Sequence, residues 1–200
     1  QMLLRQSYDR KNETELLADL ARHFSDRRYI RIKDRPLFVI YQPRHVPDAR
    51  ATFARWRERW KNEFGLEPVF FMAQTFGSED PTEFGLDGAM EFPPHKLTSH
   101  LPGRKVPEAF SSAFAGRVVR YDDVAAASLN EVSPAFPLIK TIIPSWDNDA
   151  RRPMRGTTIE GSTPVKYQNW LFQLARRARA NPVMGENIGA VNAWNDGAGG

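Results

Sequence analysis

Apolar positions along the chain alternate between helical spacing and short unbroken runs. After Asn12, placed to cap a helix with Glu15 three residues on, Leu16, Leu17, Leu20 and Phe24 recur at helical intervals. They predict an amphipathic helix to about Ser25. Arg35-Pro36 breaks the chain, residues 37–41 read as a strand, and Gln42-Pro43 ends it. Asp48 can cap a second helix whose buried stripe is Phe53, Trp56, Trp60 and Phe64, with Gly65 as its stop. That stripe is core rather than a ligand platform.

Residues 69–73 form the next apolar run, ending at Gln74-Thr75, and residues 86–92 another, stopped by Pro93-Pro94. Residues 95–135 carry little periodicity beyond a short Ala-rich helix at 122–129. A strand at 138–143 halts at Pro144, and a polar loop spans 147–161. Thr163-Pro164 is a strong helix start, and Tyr167, Trp170, Leu171, Leu174 and Ala178 give that helix one apolar face. Asn181-Pro182 closes it before a last run, 188–191, of the kind that forms a fully buried strand.

Five apolar strands, several separated by helices, indicate an α/β protein with a parallel sheet. No Gly-x-Gly-x-x-Gly follows any strand, so a dinucleotide-binding sheet has no support. Polar and aromatic residues cluster where each strand ends, which favours a (β/α)8 TIM barrel. Five strands cannot close eight, so the chain is expected to be partial: residues 1–200 as one domain, N-terminally truncated and ending at the last barrel strand. The start at Gln1 agrees with that.

Composition narrows the chemistry. An apolar fraction of 41% and a charged fraction of 26% are those of a globular protein. The absence of Cys excludes disulfides, thiolate metal sites and a Cys nucleophile. No apolar run approaches the ~20 residues of a membrane span, and no secretory leader is evident, so the expected location is cytoplasmic. The net charge of +4 raises nucleic acid as a partner, but the arginines are scattered and no recognition motif accompanies them, so none is expected.

The strand ends carry Tyr41-Gln42, Gln74-Thr75, Glu91-Phe92, Trp146-Asp147-Asn148 and Trp194-Asn195-Asp196. Carboxylates, amides and aromatic rings suit a saccharide, whose hydroxyls pair with the polar groups while its C–H faces lie on the rings. Carboxylates also serve glycosidic bond chemistry as acid and base. Simpler readings coexist. Tyr41 suits barrel-end packing, and Trp146-Asp147-Asn148 suits a turn. Glu91, between Met90 and Phe92, needs a partner if buried. His95 and His100 read as solvated loop histidines. Arg151-Arg152 suits either a phosphate or an exposed basic loop.

The chain resembles the WbsX-type glycosyltransferase family, itself similar to glycoside hydrolase family 99. The resemblance rests on residues 23–32, Arg35-Pro36 through Gln42-Pro43, and Phe84-Gly85-Leu86-Asp87 with Glu91-Phe92-Pro93-Pro94. It continues in Pro144-Ser145-Trp146-Asp147-Asn148 with Arg151-Arg152, Thr163-Pro164 with Tyr167 and Trp170-Leu171, and Asn192-Ala193-Trp194-Asn195.

It implies a (β/α)8 barrel acting on glycans in polysaccharide (O-antigen or lipopolysaccharide) biosynthesis, with no metal and no cofactor, on a glycan or sugar-nucleotide substrate. Family 99 uses two carboxylates three residues apart at the last strand's end. The first deprotonates the sugar's own 2-hydroxyl and the second protonates the leaving oxygen. The family pattern Asn-Ala-Trp-Asn-Glu-Trp-Ala-Glu-Gly meets Asn192-Ala193-Trp194-Asn195-Asp196-Gly197-Ala198-Gly199-Gly200 here. Asp196 is thus the implied catalytic base, and the second carboxylate is replaced by Gly199. Tyr41, Glu91, Trp146, Asp147, Asn192, Trp194 and Asn195 are the expected sugar-binding wall. The alternative is a glycan-binding module with impaired catalysis.

Overall fold

The computed structural model describes residues 9–104 and 112–194, a mixed α/β protein that divides into two compact units. The first comprises Gln1–Ala73 with Asp80–Ala89, and the second Gln74–Glu79 with Met90–Gly200.

In the first unit, α1 spans Arg10–Phe24. It starts before the expected Asn12, because Asp9 is the cap: its carboxylate accepts from the Asn12 backbone N–H at 2.9 Å. Leu17, Ala21 and Phe24 face inward, while Leu16 is 40% exposed at the stripe's edge. Strand β1 (Arg31–Ile32) turns back on β2 (Arg35–Tyr41) through Lys33 and Asp34. Both turn residues have positive φ, as a two-residue I′ hairpin requires. Parallel to β2 lies β3 (Val69–Gln74), in register from Leu37↔Val69 to Tyr41↔Ala73.

Between them runs α2 (Ala49–Phe64), burying Thr52, Phe53, Trp56 and Trp60. The expected stripe shortens at its end, since Phe64 is half-exposed on the last turn. Asp48 makes no side-chain cap; its left-handed backbone sets the entry, and its carbonyl accepts from Thr52 N–H at 2.8 Å. Gly65, at φ 65°, closes the helix: its N–H returns to the Lys61 carbonyl and that of Leu66 to the Trp60 carbonyl.

The core of this unit is aromatic. Phe24, Phe38 and Phe70 meet Trp60 edge to face with centroids 5.2, 5.6 and 5.6 Å away. Such pairs add about 0.5–1.5 kcal/mol each beyond burial. The Trp60 indole N–H donates to the Leu17 carbonyl at 3.0 Å. Asp87 accepts from Phe70 N–H at 2.8 Å and from Arg57 at 2.9 Å, and that guanidinium lies 4.0 Å over the Phe70 ring.

Strand β4 (Gly88–Glu91) is shorter than the 86–92 run because Leu86 N–H is engaged in a turn to Pro81. In the second unit follow α3 (His95–Thr98), β5 (Arg117–Arg120) and α4 (Tyr121–Asn130). Next come β6 (Leu138–Ile139), β7 (Thr141–Ile142), β8 (Trp146–Asp147), β9 (Thr157–Glu160), α5 (Pro164–Ala180) and β10 (Ala190–Val191). Strand order is β1-β2-β3-β4-β6, β10-β7 and β5-β9-β8. β5 runs parallel to β9, β8 antiparallel to it, and β10 parallel to β7.

Three expectations change here. The 138–143 run divides at Lys140 into two strands of different sheets, because that side chain turns into a buried ionic cluster. The polar 147–161 stretch contains β9, which pairs parallel with β5, forty residues earlier, and antiparallel with β8 at the start of the stretch. The last run is not fully buried: Val191 is 38% exposed, since β10 has a partner on one side only among the described residues.

Helix α5 keeps its expected start. Thr163 accepts from Lys166 N–H, Pro164 opens the first turn, and Trp170 and Leu174 are buried while Leu171 is not. These two join Val119, Tyr121, Val124, Ile142, Ile143, Trp146 and Ile159 in the second unit's core. Tyr121 hydroxyl donates to the Ile143 carbonyl at 2.8 Å.

Candidate functional site

The chemistry-bearing residues of the second unit gather where β3, β4, β7 and β10 end. Glu91, the last residue of β4, is only 2% exposed. Burying a lone carboxylate costs several kcal/mol, so its partners decide whether the strand can hold it. Lys140 Nζ lies 2.5 Å from Glu91 Oε1 and 2.6 Å from Glu131 Oε2. Lys96 Nζ lies 2.5 Å from Glu131 Oε1, 3.5 Å from Glu91 Oε1, and donates to Gln74 Oε1 at 3.2 Å. Two carboxylates and two ammoniums thus close a ring whose charges cancel. Thr141 backbone N–H completes Glu91 at 3.2 Å.

Burial and pairing act against each other in this ring. Burial pushes the Glu91 carboxyl up and its hydrogen bond with Glu131 adds to the rise, against the pull of Lys140 and Lys96. Burial acts on Glu131 in the same sense, but hydrogen bonds from Glu91, Lys140 and Lys96 overcome it and hold Glu131 low.

Asn192, directly after β10, is fixed to the same place. Its N–H donates to the Ile142 carbonyl at 2.8 Å and its side-chain amide to the Pro93 carbonyl at 2.6 Å, two residues beyond Glu91. Ala193 then takes a left-handed turn at φ 54°, and Trp194 follows with 76% of its surface exposed. Strained turns of this kind in non-Gly residues are concentrated at functional sites.

Trp146 does not present an open face. It is buried in the core, with the His95 ring edge-on at 5.4 Å. Its indole N–H finds no hydrogen-bond partner among the described residues, nor do the buried hydroxyls of Thr75 and Thr141. Leaving such a group unpaired costs about 1–3 kcal/mol.

Asp147 and Asn148 behave as turn residues. Asp147 accepts from Asp149 N–H at 2.8 Å, and the buried Asn148 side chain accepts from Thr157 N–H at 2.7 Å. Tyr41 belongs to the first unit, ends β2 and is 58% exposed. Asn195 and Asp196, with Gly197 and Gly199, lie outside the described residues. Of the expected wall, the second unit brings together Glu91, Asn192 and, through His95, Trp146.

His95 corrects its expectation as a solvated histidine. It is half-buried, its ring stacked on Phe76 at 5.0 Å and 26°. Burial, then the nearby Arg152 guanidinium, lowers its pKa and keeps it neutral near pH 7. Lys140, Lys96 and Glu131 are residues that the sequence patterns do not single out. Only Lys140 left a signal, as a lone charge inside an apolar run that must find a partner. Among the described residues no group of three or more His, Asp or Glu is placed to hold a metal ion, and no helix is long and apolar enough to cross a membrane.

Comparison with known proteins follows the same direction. No solved structure matches the chain. The uncharacterized protein WxcX of Xanthomonas campestris pv. campestris, in two strains, is 29% identical over 197 residues. That alignment covers 98% of this chain but 28% of WxcX, so the chain spans little more than a quarter of these relatives' length. A family model described as glycosyltransferase WbsX matches residues 1–200. With the whole length matched, the chain belongs to the WbsX glycosyltransferase family.

Proposed function

We propose that this chain is part of a carbohydrate-active domain that acts on glycosidic bonds in surface polysaccharide biosynthesis, built on a (β/α)8 barrel to which it contributes the later strands. The observation that carries the reading is the cluster at the strand ends. The Asn192 side chain is anchored to the Pro93 carbonyl, two residues beyond Glu91, and Trp194, two residues on, stands 76% exposed. An open indole beside an anchored amide suits a saccharide, whose C–H faces lie on aromatic rings. Family membership supplies the substrate class.

In this reading Asp196 is the base that activates the sugar, and Trp194 and Asn195 flank the reacting residue. Replacing Asp196→Asn in the complete protein abolishes turnover and leaves glycan binding close to normal. Unchanged turnover removes Asp196 from the mechanism.

Gly199, where the family pattern has its second carboxylate, favours a second reading: a module that binds glycan without cleaving or transferring it. Oligosaccharide titration beside an activity assay separates the two. Binding with no turnover in the complete protein selects the module.

A further inference from the structure

Beside the ionic ring the second unit carries a cleft of about 310 Å³, lined by Phe76, Ser78, Lys96, His100, Asn130 and Glu131 among others. Phe76 and Ser78 lie on the segment that leaves β3, Lys96 and His100 on the segment that leaves β4, and Asn130 and Glu131 at the end of α4. The cleft therefore opens on the edge where Gln74 and Glu91 end their strands.

Three features define what fits it. Its wall is rigid: Lys96 is held by Glu131 at 2.5 Å, by Gln74 at 3.2 Å and, through its backbone N–H, by the Thr75 carbonyl at 3.0 Å. One face is aromatic and open. The Phe76 ring is 57% exposed, and the His95 ring stacked on it keeps it in place, so a ligand meets a platform already ordered. The two ring members that line it are matched, the Lys96 ammonium lying 2.5 Å from the Glu131 carboxylate, so the charge at its floor is balanced. A balanced floor selects neither anion nor cation. It offers fixed donors and acceptors to an uncharged ligand with many hydroxyls.

We propose that this cleft is a subsite for one uncharged pyranosyl residue, with Phe76 as the stacking platform and Asn130 and Glu131 as hydroxyl partners. The assignment rests on the carbohydrate reading above and adds a place to it. Its volume, at the lower end of small-molecule sites, matches a single sugar ring rather than a nucleotide. The C–H face of the ring covers Phe76, and the equatorial hydroxyls reach the Asn130 amide and the Glu131 carboxylate.

The test is saturation-transfer NMR on the complete protein with methyl α-pyranosides and α-linked disaccharides of mannose, glucose and galactose, run beside an assay of polysaccharide assembly. Saturation is expected on the C–H protons of one sugar face. It falls at least about fivefold in Phe76→Ala and about as much in Asn130→Ala, while Phe76→Tyr retains it. Circular dichroism confirms that the exposed substitutions leave the fold intact. Equal saturation in wild type, Phe76→Ala and Asn130→Ala overturns the subsite and leaves the carbohydrate reading standing. A wild-type protein that assembles polysaccharide without saturating any probe overturns the subsite alone. One that does neither overturns both.

Discussion

Lys140 reaches out of a strand run to place its ammonium 2.5 Å from the carboxylate of Glu91, forty-nine residues earlier in the chain. A cation and an anion so deeply enclosed are each costly alone, and together they fix which face of the 138–143 segment turns inward. Replacing Lys140→Met leaves Glu91 with a weaker partner in Lys96 and costs about 3–5 kcal/mol in denaturant unfolding. The double variant Lys140→Met with Glu91→Gln recovers much of that loss, because it removes both charges. A loss below about 1 kcal/mol in the single variant contradicts the ring as a coupled unit.

In the first unit Glu13 is buried and paired with Arg55 at 2.6 Å and Arg59 at 3.6 Å. The Arg55 hydrogen bond, opposed by burial, holds its carboxyl below the usual carboxylate range. A depressed folded-state pKa means stability that is present above the unfolded-state pKa and lost as pH falls through the folded one. The Tm gap between wild type and Glu13→Gln is therefore largest near neutrality and narrows as pH is lowered into the acid range. Thermal melts from pH 7 to pH 3 measure it, and a gap that widens on acidification contradicts the pairing.

His95 offers a local reporter. Burial between Phe76 and Trp146, and then the charge of Arg152, lowers its pKa from the ordinary 6.5. Its imidazole resonances titrate below that value, and Arg152→Ala moves the midpoint partway back up. Burial is the larger cause, so the return is incomplete. A His95 midpoint at or above 6.5 in the wild type refutes this environment.

Gly65 tests backbone strain without packing. A Cβ added there meets nothing within 4 Å among the described residues, yet φ is +65°. Gly65→Ala should cost about 1 kcal/mol from the left-handed conformation alone, and Gly65→Asn less. Equal stabilities for all three in urea unfolding rule out strain as the reason for glycine.

At Trp60, replacement by Phe removes the donor to the Leu17 carbonyl but keeps an aromatic in the cluster, whereas Ala empties the site. The expected losses are about 1–3 kcal/mol for Phe and about 3–5 kcal/mol for Ala. The difference between the two variants in denaturant unfolding separates ring packing from the hydrogen bond.

Much of the architecture was legible along the chain because it follows from local rules. The 3.6-residue spacing of Phe53, Trp56 and Trp60 states a buried helix face, Thr163-Pro164 a helix start and Gly65 a helix stop. The apolar runs at 37–41 and 69–73 state buried strands that pair side by side. Periodicity is a property of neighbours in sequence, so burial on one face can be read directly from it.

What tertiary structure alone decided are relations between distant residues. β5 and β9 are four residues each and too polar at their ends to announce themselves; they exist because they pair across forty residues of chain. In sequence Glu91 reads as a ligand-facing carboxylate that needs a partner if buried. The arrival of Lys140 and Thr141 on one side and of Lys96 and Glu131 on the other settled which partners it has. A buried charge is tolerable only with its counter-charge in place, and that counter-charge comes from wherever the fold brings it. Sequence determined the helices and the longer strands that local periodicity announces; packing determined the short strands, which strand ends are enclosed, which stay open, and how their charges balance.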